Sequence, residues 1–426
     1  MTRATERFED KREAILDGAA RLFNQQGIKG GLLSDLARRV GLATNSLTYY
    51  YRRKEDLACA CLQRAMDALG EIADAAARQR TLALRMRAFF TGYLSLLADI
   101  AEGRHAELIV FSDLLSLAPP HGDAMAAAYT QMFRRVRALL DAPDVPRLES
   151  AARNARAHLL LSTVSWSRAW ITRYEPVDFV RAATQMSDLL LFGIAAPGCQ
   201  PRAAAPEPLP EALAPEGDES SATRAAYLRA ATRLVNEHGV QGASVDRIAA
   251  ELQLTKGSFY HHHETKEELI TACFERTFVV VRAAQSAALA AHGNGLDRLA
   301  MACRALLAYQ MSSQGPLLRV TAWTGLPAAM RSDARRAMSR LGERFAALVV
   351  EGMADGSLRI VDPSVAAQVV NGMINAAAEV ERWVPGAHAG NVFELYAMPL
   401  FSGLQPVRAS ARTERAARRA NVAAPP

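Results

Sequence analysis

The 426-residue sequence predicts an all-α protein built from two tandem helical units. Three observations predict this class. Arg12–Cys61 aligns with Arg224–Cys273 at a constant offset of 212 residues, without a gap, and 17 of the 50 aligned pairs are identical. Apolar residues in both copies recur with helical spacing. Alanine is abundant, aromatic residues make up only 7% of the chain, and no strand-like alternation of useful length occurs.

Each element can be justified in order. In the first copy Ile15, Ala19, Leu22 and Phe23 lie on one helical face, and Gly27 supplies the glycine that commonly ends a helix. The second copy repeats this with Tyr227, Ala231, Leu234, Val235 and Gly239. A short helix around Leu36, Ala37 and Val40 breaks at Gly41, a second begins near Thr44, and a longer one starts at Lys54. The second copy follows with Ile248, Ala249 and Leu252, then starts near Lys256 and Lys266.

Two short helices joined by a tight turn, behind a supporting helix, describe a helix-turn-helix. Such a helix fits the major groove of DNA, where its N-terminal residues meet base edges. The residue types suit that use. Thr44, Asn45, Ser46, Thr48, Tyr49 and Tyr50 form a polar and aromatic helix flanked by Arg38, Arg39, Arg52, Arg53 and Lys54. Short polar helices also occur without DNA, so geometry alone leaves both uses open.

Downstream, helical runs are expected over Leu82–Ile100, Glu107–Leu117, Arg147–Arg173 and Val177–Ile194, punctuated by Pro119, Pro120, Pro143, Pro146 and Pro176. Pro197 to Pro215 contains six prolines and reads as a semi-rigid linker. The tail over 406–426 is basic, with five Arg against one Glu, and is expected to be disordered. The expected domains are therefore 8–57 and 58–196, a linker over 197–215, then 216–269 and 270–405, and the tail.

Composition excludes several classes. Half the residues are hydrophobic and 22% charged, as in soluble globular proteins. No apolar run approaches the roughly 18 residues a membrane span needs, and the N-terminus lacks a signal-peptide core. No membrane partner is expected, and a cytoplasmic, nucleoid-associated location is. Cys59, Cys61, Cys199, Cys273 and Cys303 form no CxxC pair, so reduced thiols are expected. The net charge of +6 and pI near 9.2 suit a polyanionic partner without requiring one. Nucleophile-elbow, P-loop, dinucleotide and zinc-protease motifs are all missing. Neither an enzyme nor a cofactor is expected.

The two repeated segments resemble the DNA-binding domain of the tetracycline-repressor (TetR/AcrR) family. The second copy carries the resemblance in "ASVDRIA" and "LTKGSFYHHHETKEEL", and the first more loosely in "LSDLA" and "VGLATNSLTYYYRRKEDL". It covers about 50 residues of each copy. "DGSLRIVDPSVAAQVVNGMINAAAEVERWV" is similar to the family's turn before its penultimate helix. The resemblance implies a helical ligand-binding and dimerisation domain in each unit, and a double-stranded DNA operator as partner. It also implies a repressor released by a small-molecule effector.

In the second copy the resemblance places Ser244 and Thr255 at capping positions that also face phosphates. Lys256, Gly257, Ser258, Tyr260 and His261 match the groove-facing helix, and His262 and Lys266 the phosphate grips. The first copy departs from the family in three places. Leu32 stands where a capping serine is usual, Ala43 replaces a capping threonine and Thr48 replaces a tyrosine. A lost cap costs on the order of 1 kcal/mol. The first reader is nonetheless the more basic, and Asn45 suits a bidentate contact to adenine. Both readers are expected to bind, on different bases.

Since the halves are already tethered, the simplest assembly is an intrachain pseudo-dimer with unlike half-sites; a homodimer of tandems is the alternative. Arg153, Arg156, Arg168 and Arg173 in one penultimate helix, against Glu379 and Glu381 in the other, favour pairing between the copies. Candidate ligand residues are Ser112, His158 and Trp166 in the first copy and Tyr309, Asn371 and Asn375 in the second, with His105 and Gln310 beside them. Each can equally be a satisfied core group. The competing function is an architectural or protein-interaction module with one degenerate, non-specific DNA reader. Finally, His261, His262 and His263 point about 100° apart on a helix, so no metal site is expected there.

Overall fold

The computed structural model describes residues 3–202, 209, 219–255, 257, 259–260, 265–319 and 328–405. Its described residues are helical and form no named strand; one isolated bridge joins Ala195 to Leu358. Most of the linker and the whole tail lie outside the described residues, as do Lys256, Ser258 and His261–His263.

The first unit runs α1 (Arg3–Gly30), α2 (Leu33–Arg39), α3 (Thr44–Tyr50), α4 (Lys54–Ala77), α5 (Leu82–Ala101), a 3-10 turn (Phe111–Ser116), α6 (His121–Ala138), α7 (Ser150–Trp170) and α8 (Phe179–Phe192). The second runs α9 (Glu219–Gly242), α10 (Val245–Glu251), α11 (Lys266–Ala290), α12 (Gly295–Gln310), α13 (Ala328–Ala354), α14 (Pro363–Ala376) and α15 (Val380–Trp383). It closes with a π turn (Phe393–Ala397) and α16 (Met398–Ser402).

The expected periodicity places the core. Ile15, Ala19, Leu22 and Phe23 are buried in one unit, and Tyr227, Ala231, Leu234 and Val235 in the other. Cys61 and Cys273 make the same core contact, each thiol facing a carbonyl of its first helix, Leu16 and Leu228. Burial pushes these thiols up to about 12 and about 11, which keeps both protonated and unreactive.

One expected helix is not there. Glu107–Leu117 gives an extended stretch followed by the 3-10 turn at Phe111–Ser116. The reason is long-range. Asn24 on α1 donates to the Leu108 carbonyl (2.9 Å) and accepts from the Val110 amide (2.8 Å), acting as a short stretch of neighbouring strand. Arg64 on α4 donates to the Glu107 carbonyl (2.5 Å). At the same 212-residue offset, Asn236 holds the Leu317 carbonyl and the Arg319 amide, both at 2.9 Å, and Arg276 donates to the Gln314 and Pro316 carbonyls. Backbone groups paired this way have no need of a helix. The structure also adds α6, which the proline punctuation did not single out.

The two units pack through their last helices. α7 lies on α14, α15 and the π turn, and α8 on α14 and α16. Trp166 Nε1 donates to Gln368 Oε1 (3.0 Å), Asn154 Nδ2 to the Trp383 carbonyl (3.1 Å), and the Tyr396 hydroxyl to Ser162 (3.2 Å). The chain ends of the two last helices bond each other reciprocally. Ile194 N reaches the Leu400 carbonyl (2.9 Å), and Leu404 N the Leu190 carbonyl (2.8 Å).

The expected charge pairing between copies is not what the structure holds. Arg153 pairs with Asp141 and Arg168 with Glu107, both inside the first unit, while Glu379 pairs with Arg319 inside the second. Arg173 crosses over, but to the Ser339 hydroxyl (3.0 Å). The contact between units rests on apolar area, where burial is worth about 25 cal/mol per Å², and on the hydrogen bonds above. Carboxylates nearer in their own unit win Arg153 and Arg168, and Arg156 meets no carboxylate among the described residues.

The helix-turn-helix turn shows the cost of one residue. Gly41 has φ +67°, and its counterpart Gln253 has φ +56°. A side chain in this region costs about 1 kcal/mol. Gln253→Gly is expected to stabilise the second unit by up to about 1 kcal/mol, and Gly41→Ala to destabilise the first by a similar amount. Urea melts of the two variants check this; the idea fails if Gln253→Gly is neutral or harmful.

Candidate nucleic-acid interface and the cavity between units

The first head presents α3. Leu47 is fully buried and Tyr51 nearly so, which turns the rest of the helix outward. Asn45, Ser46 and Thr48 are exposed and Tyr49 is 77% exposed. The Thr48 hydroxyl donates to the Asn45 carbonyl (2.9 Å). Thr44 opens the helix, but its side chain lies outside the described residues. Tyr50 stacks on Phe8 of α1 at 4.9 Å and meets Tyr49 edge-on at 5.5 Å. Tyr50 is thus braced from behind, while Tyr49, edge-on to Tyr50 and to Phe8 (6.4 Å), presents its ring on the outer face.

The surrounding cations are partly engaged. Arg38 pairs with Asp35 at 3.3 Å, Arg39 donates to Gln25 (3.0 Å), and Lys54 Nζ donates to the Lys29 carbonyl (2.9 Å). Arg52 and Arg53 are exposed. The missing caps have structural consequences: neither Leu32 nor Ala43 makes a side-chain cap bond, and Leu32 remains 57% exposed.

In the second head Ser244 caps α10, accepting from the Arg247 amide (3.3 Å), and Thr265 caps α11, accepting from Glu268 N (3.1 Å). Phe259 is buried against Tyr227, leaving Gly257 and Tyr260 (52%) exposed beside exposed Thr255. Lys266 is half-buried, and burial lowers its pKa, with Lys29 adding a like charge. That contact arises because α1 and α9 touch; the two heads meet at the ends of their first helices.

A cavity of about 590 Å³ lies between the units. His158, Trp166 and Asn375 line it; Ser112 is nearby in sequence, but its side chain is not described. Tyr309 and Asn371 do not reach it. The Tyr309 hydroxyl accepts from buried Arg276 (3.1 Å), and Asn371 is buried beside Gly342. Gln310 spends its amide on the Ile374 carbonyl and the Leu317 amide. Helical spacing identified these polar side chains without revealing which neighbour would claim them.

Sequence reasoning missed the other half of the lining: Asn24 and Gln25 from α1, and the arginines Arg173, Arg331 and Arg335. The signal available for Asn24 was its identity with Asn236 at the repeat offset. Nothing in the sequence joins Arg173 to Arg331.

Two helix-turn-helix heads on a shared helical body define the class of this protein. Residues 15–61 and 228–273 both match the family model "Bacterial regulatory proteins, tetR family", and 292–383 match "Tetracyclin repressor-like, C-terminal domain". The chain belongs to the tetR family and carries two of its units in tandem. A 61-residue stretch is 34% identical to the Transposon Tn10 TetC protein of Escherichia coli. That stretch is 14% of this chain and 31% of that protein, so the chain spans about a third of this relative's length. Solved structures similar to it include apo AibR, at 20% identity and TM-score 0.35 over 41% of this chain and 96% of that one. They also include PfmR from Thermus thermophilus (19%, 0.33, 41% and 92%) and KstR2 of Mycobacterium tuberculosis (20%, 0.35, 42% and 93%). Among the described residues, no helix is long and apolar enough to cross a membrane.

Proposed function

We propose that this protein is a sequence-specific DNA-binding transcriptional repressor, relieved by a small-molecule effector, that reads two unlike half-sites with its two heads. The observation that carries the reading is the pair of exposed recognition surfaces, unlike in chemistry. Asn45, Ser46, Thr48 and Tyr49 stand out on the first head. Thr255, Gly257 and Tyr260 do so on the second, where Lys256, Ser258, His261 and His262 complete the proposed contacts from the sequence. Thr44, Tyr50, Lys54, Ser244 and Lys266 are proposed to hold backbone phosphates. The working division is 8–57 and 216–269 for DNA, with 58–196 and 270–405 for ligand and assembly.

The assembly proposed is the intrachain pseudo-dimer. The α7–α14 and α8–α16 packing supports it, because the surface a second chain would use is already occupied by the other half of the same chain. The switch is proposed to run through α1. Asn24 grips 108–110, Arg168 donates to the Leu108 carbonyl (3.0 Å), and Asn24, Val110 and Arg168 border the cavity. A ligand there touches the support of the first head directly.

Footprinting on the DNA upstream of the protein's own coding region tests the reading. Two adjacent, unlike protected half-sites are expected. Asn45→Ala should weaken one half-site and Tyr260→Ala the other, each by about 1–3 kcal/mol, the usual value of one base contact. Light scattering should return a mass near 46.2 kDa, and twice that mass would replace the pseudo-dimer with a homodimer. Protection without selectivity would favour the architectural reading, to which the uncapped first head lends support.

A further inference from the structure

We propose that the cavity between the units binds one amphipathic organic anion per chain, its acidic group held by Arg173, Arg331 and Arg335 and its apolar body seated on Tyr129 and Trp383. The proposal deepens the regulator reading and rests on it for its biological meaning, but the site can be tested without DNA.

Charge is the first argument. Six arginines and a single carboxylate, Glu379, line the cavity. Glu379 is already paired with Arg319, and Arg168 is paired with Glu107. The remaining four have no carboxylate at ion-pair distance among the described residues. Arg173 donates to the Ser339 hydroxyl (3.0 Å), Arg331 to the Gln25 carbonyl (3.4 Å), and Arg382 lies 5.7 Å from the Trp383 ring. Arg335 is exposed at the mouth. Like charges gathered around a concave surface focus the field and concentrate anions. Guanidinium groups also match carboxylate and phosphate in geometry, which a random cluster of lysines would not.

The second argument is the aromatic part of the lining. Trp383 stacks on Phe133 at 5.0 Å and sits 4.9 Å from Tyr129, which itself meets Phe111 edge-on at 5.6 Å. This aromatic shelf comes from both units, so neither unit alone makes the site. The volume of about 590 Å³ falls within the roughly 300–1,000 Å³ common for small-molecule sites.

The test uses two fluorescent probes of similar shape on the full chain. 8-Anilinonaphthalene-1-sulfonate carries an acidic group, and N-phenyl-1-naphthylamine lacks it. The expected result is one sulfonate probe bound per chain, with affinity lowered at least about tenfold in Arg331→Gln/Arg335→Gln, as the loss of one good charged contact implies. The neutral probe should bind both proteins alike, and Arg331→Lys/Arg335→Lys should recover part of the sulfonate affinity. Equal losses for both probes, unchanged sulfonate affinity in the Gln variant, or two equivalent sites per chain would each overturn the proposal. A failed footprint with these results intact would sink the regulator reading and leave the anion site standing.

Discussion

Gly193→Ala is expected to unseat the two units from one another and to be among the most damaging single changes in the chain. Gly193 has φ +71°, and a Cβ there would lie 2.2 Å from the Phe401 carbonyl oxygen and 2.6 Å from the Gly403 amide nitrogen. Both neighbours are backbone of the other unit, so no rotamer relieves the contact. The strained φ alone costs about 1–2 kcal/mol. The larger loss comes from separating the reciprocal strand-like bonds of Ile194, Ala195, Leu404 and Gln405, each worth about 1 kcal/mol. A total of about 5–6 kcal/mol is expected if all four are lost. Gly103→Ala is the control. It shares a positive φ of +76° but has nothing within 4 Å of its Cβ, so it should cost only the strain. Urea melts compare them, and equal losses would show that the crossing contact carries no weight.

The second large effect is expected at the paired asparagines. Asn24→Ala strips the side-chain partner from the Val110 amide and leaves the Leu108 carbonyl with Arg168 alone, and Asn236→Ala strips the partners from the Leu317 carbonyl and the Arg319 amide. Leu108 and Leu317 are buried, so water does not readily replace what is lost. Asn236→Ala should lose about 2–4 kcal/mol, from two groups at about 1–2 kcal/mol each, and Asn24→Ala about 1–2 kcal/mol, since Arg168 still serves the Leu108 carbonyl. The informative measurement is hydrogen exchange. Asn24→Ala should speed the Val110 amide and leave Arg319 protected; Asn236→Ala should do the reverse. If both amides exchange at wild-type rates in both variants, the clamp is not what orders these stretches.

These asparagines also mark how far the site was legible. Their identity at a fixed offset was visible, as were the helices, the Gly27 and Gly239 stops (φ +73° and +69°) and the outward face of α3. Those features follow from local rules: apolar spacing, capping groups and the conformational freedom of glycine. His158, Trp166 and Asn375 could be named because polar groups on a buried helix face are rare. Tyr309 and Asn371 satisfied the same rule yet lie elsewhere, since the rule says nothing about which partner a buried polar group meets.

The sequence by itself therefore determined the duplication, the all-α class, the two helix-turn-helix heads and the chemical difference between them. Only the tertiary structure decided that 107–110 is extended, that Arg153 and Arg168 of α7 pair at home, and that arginines from both units gather around one cavity. The physical reason is range. Helices and turns are set by groups within a few residues, whereas pairing and cavity lining depend on contacts such as Arg173 to Ser339, across 166 residues of chain, which compete with every nearer partner.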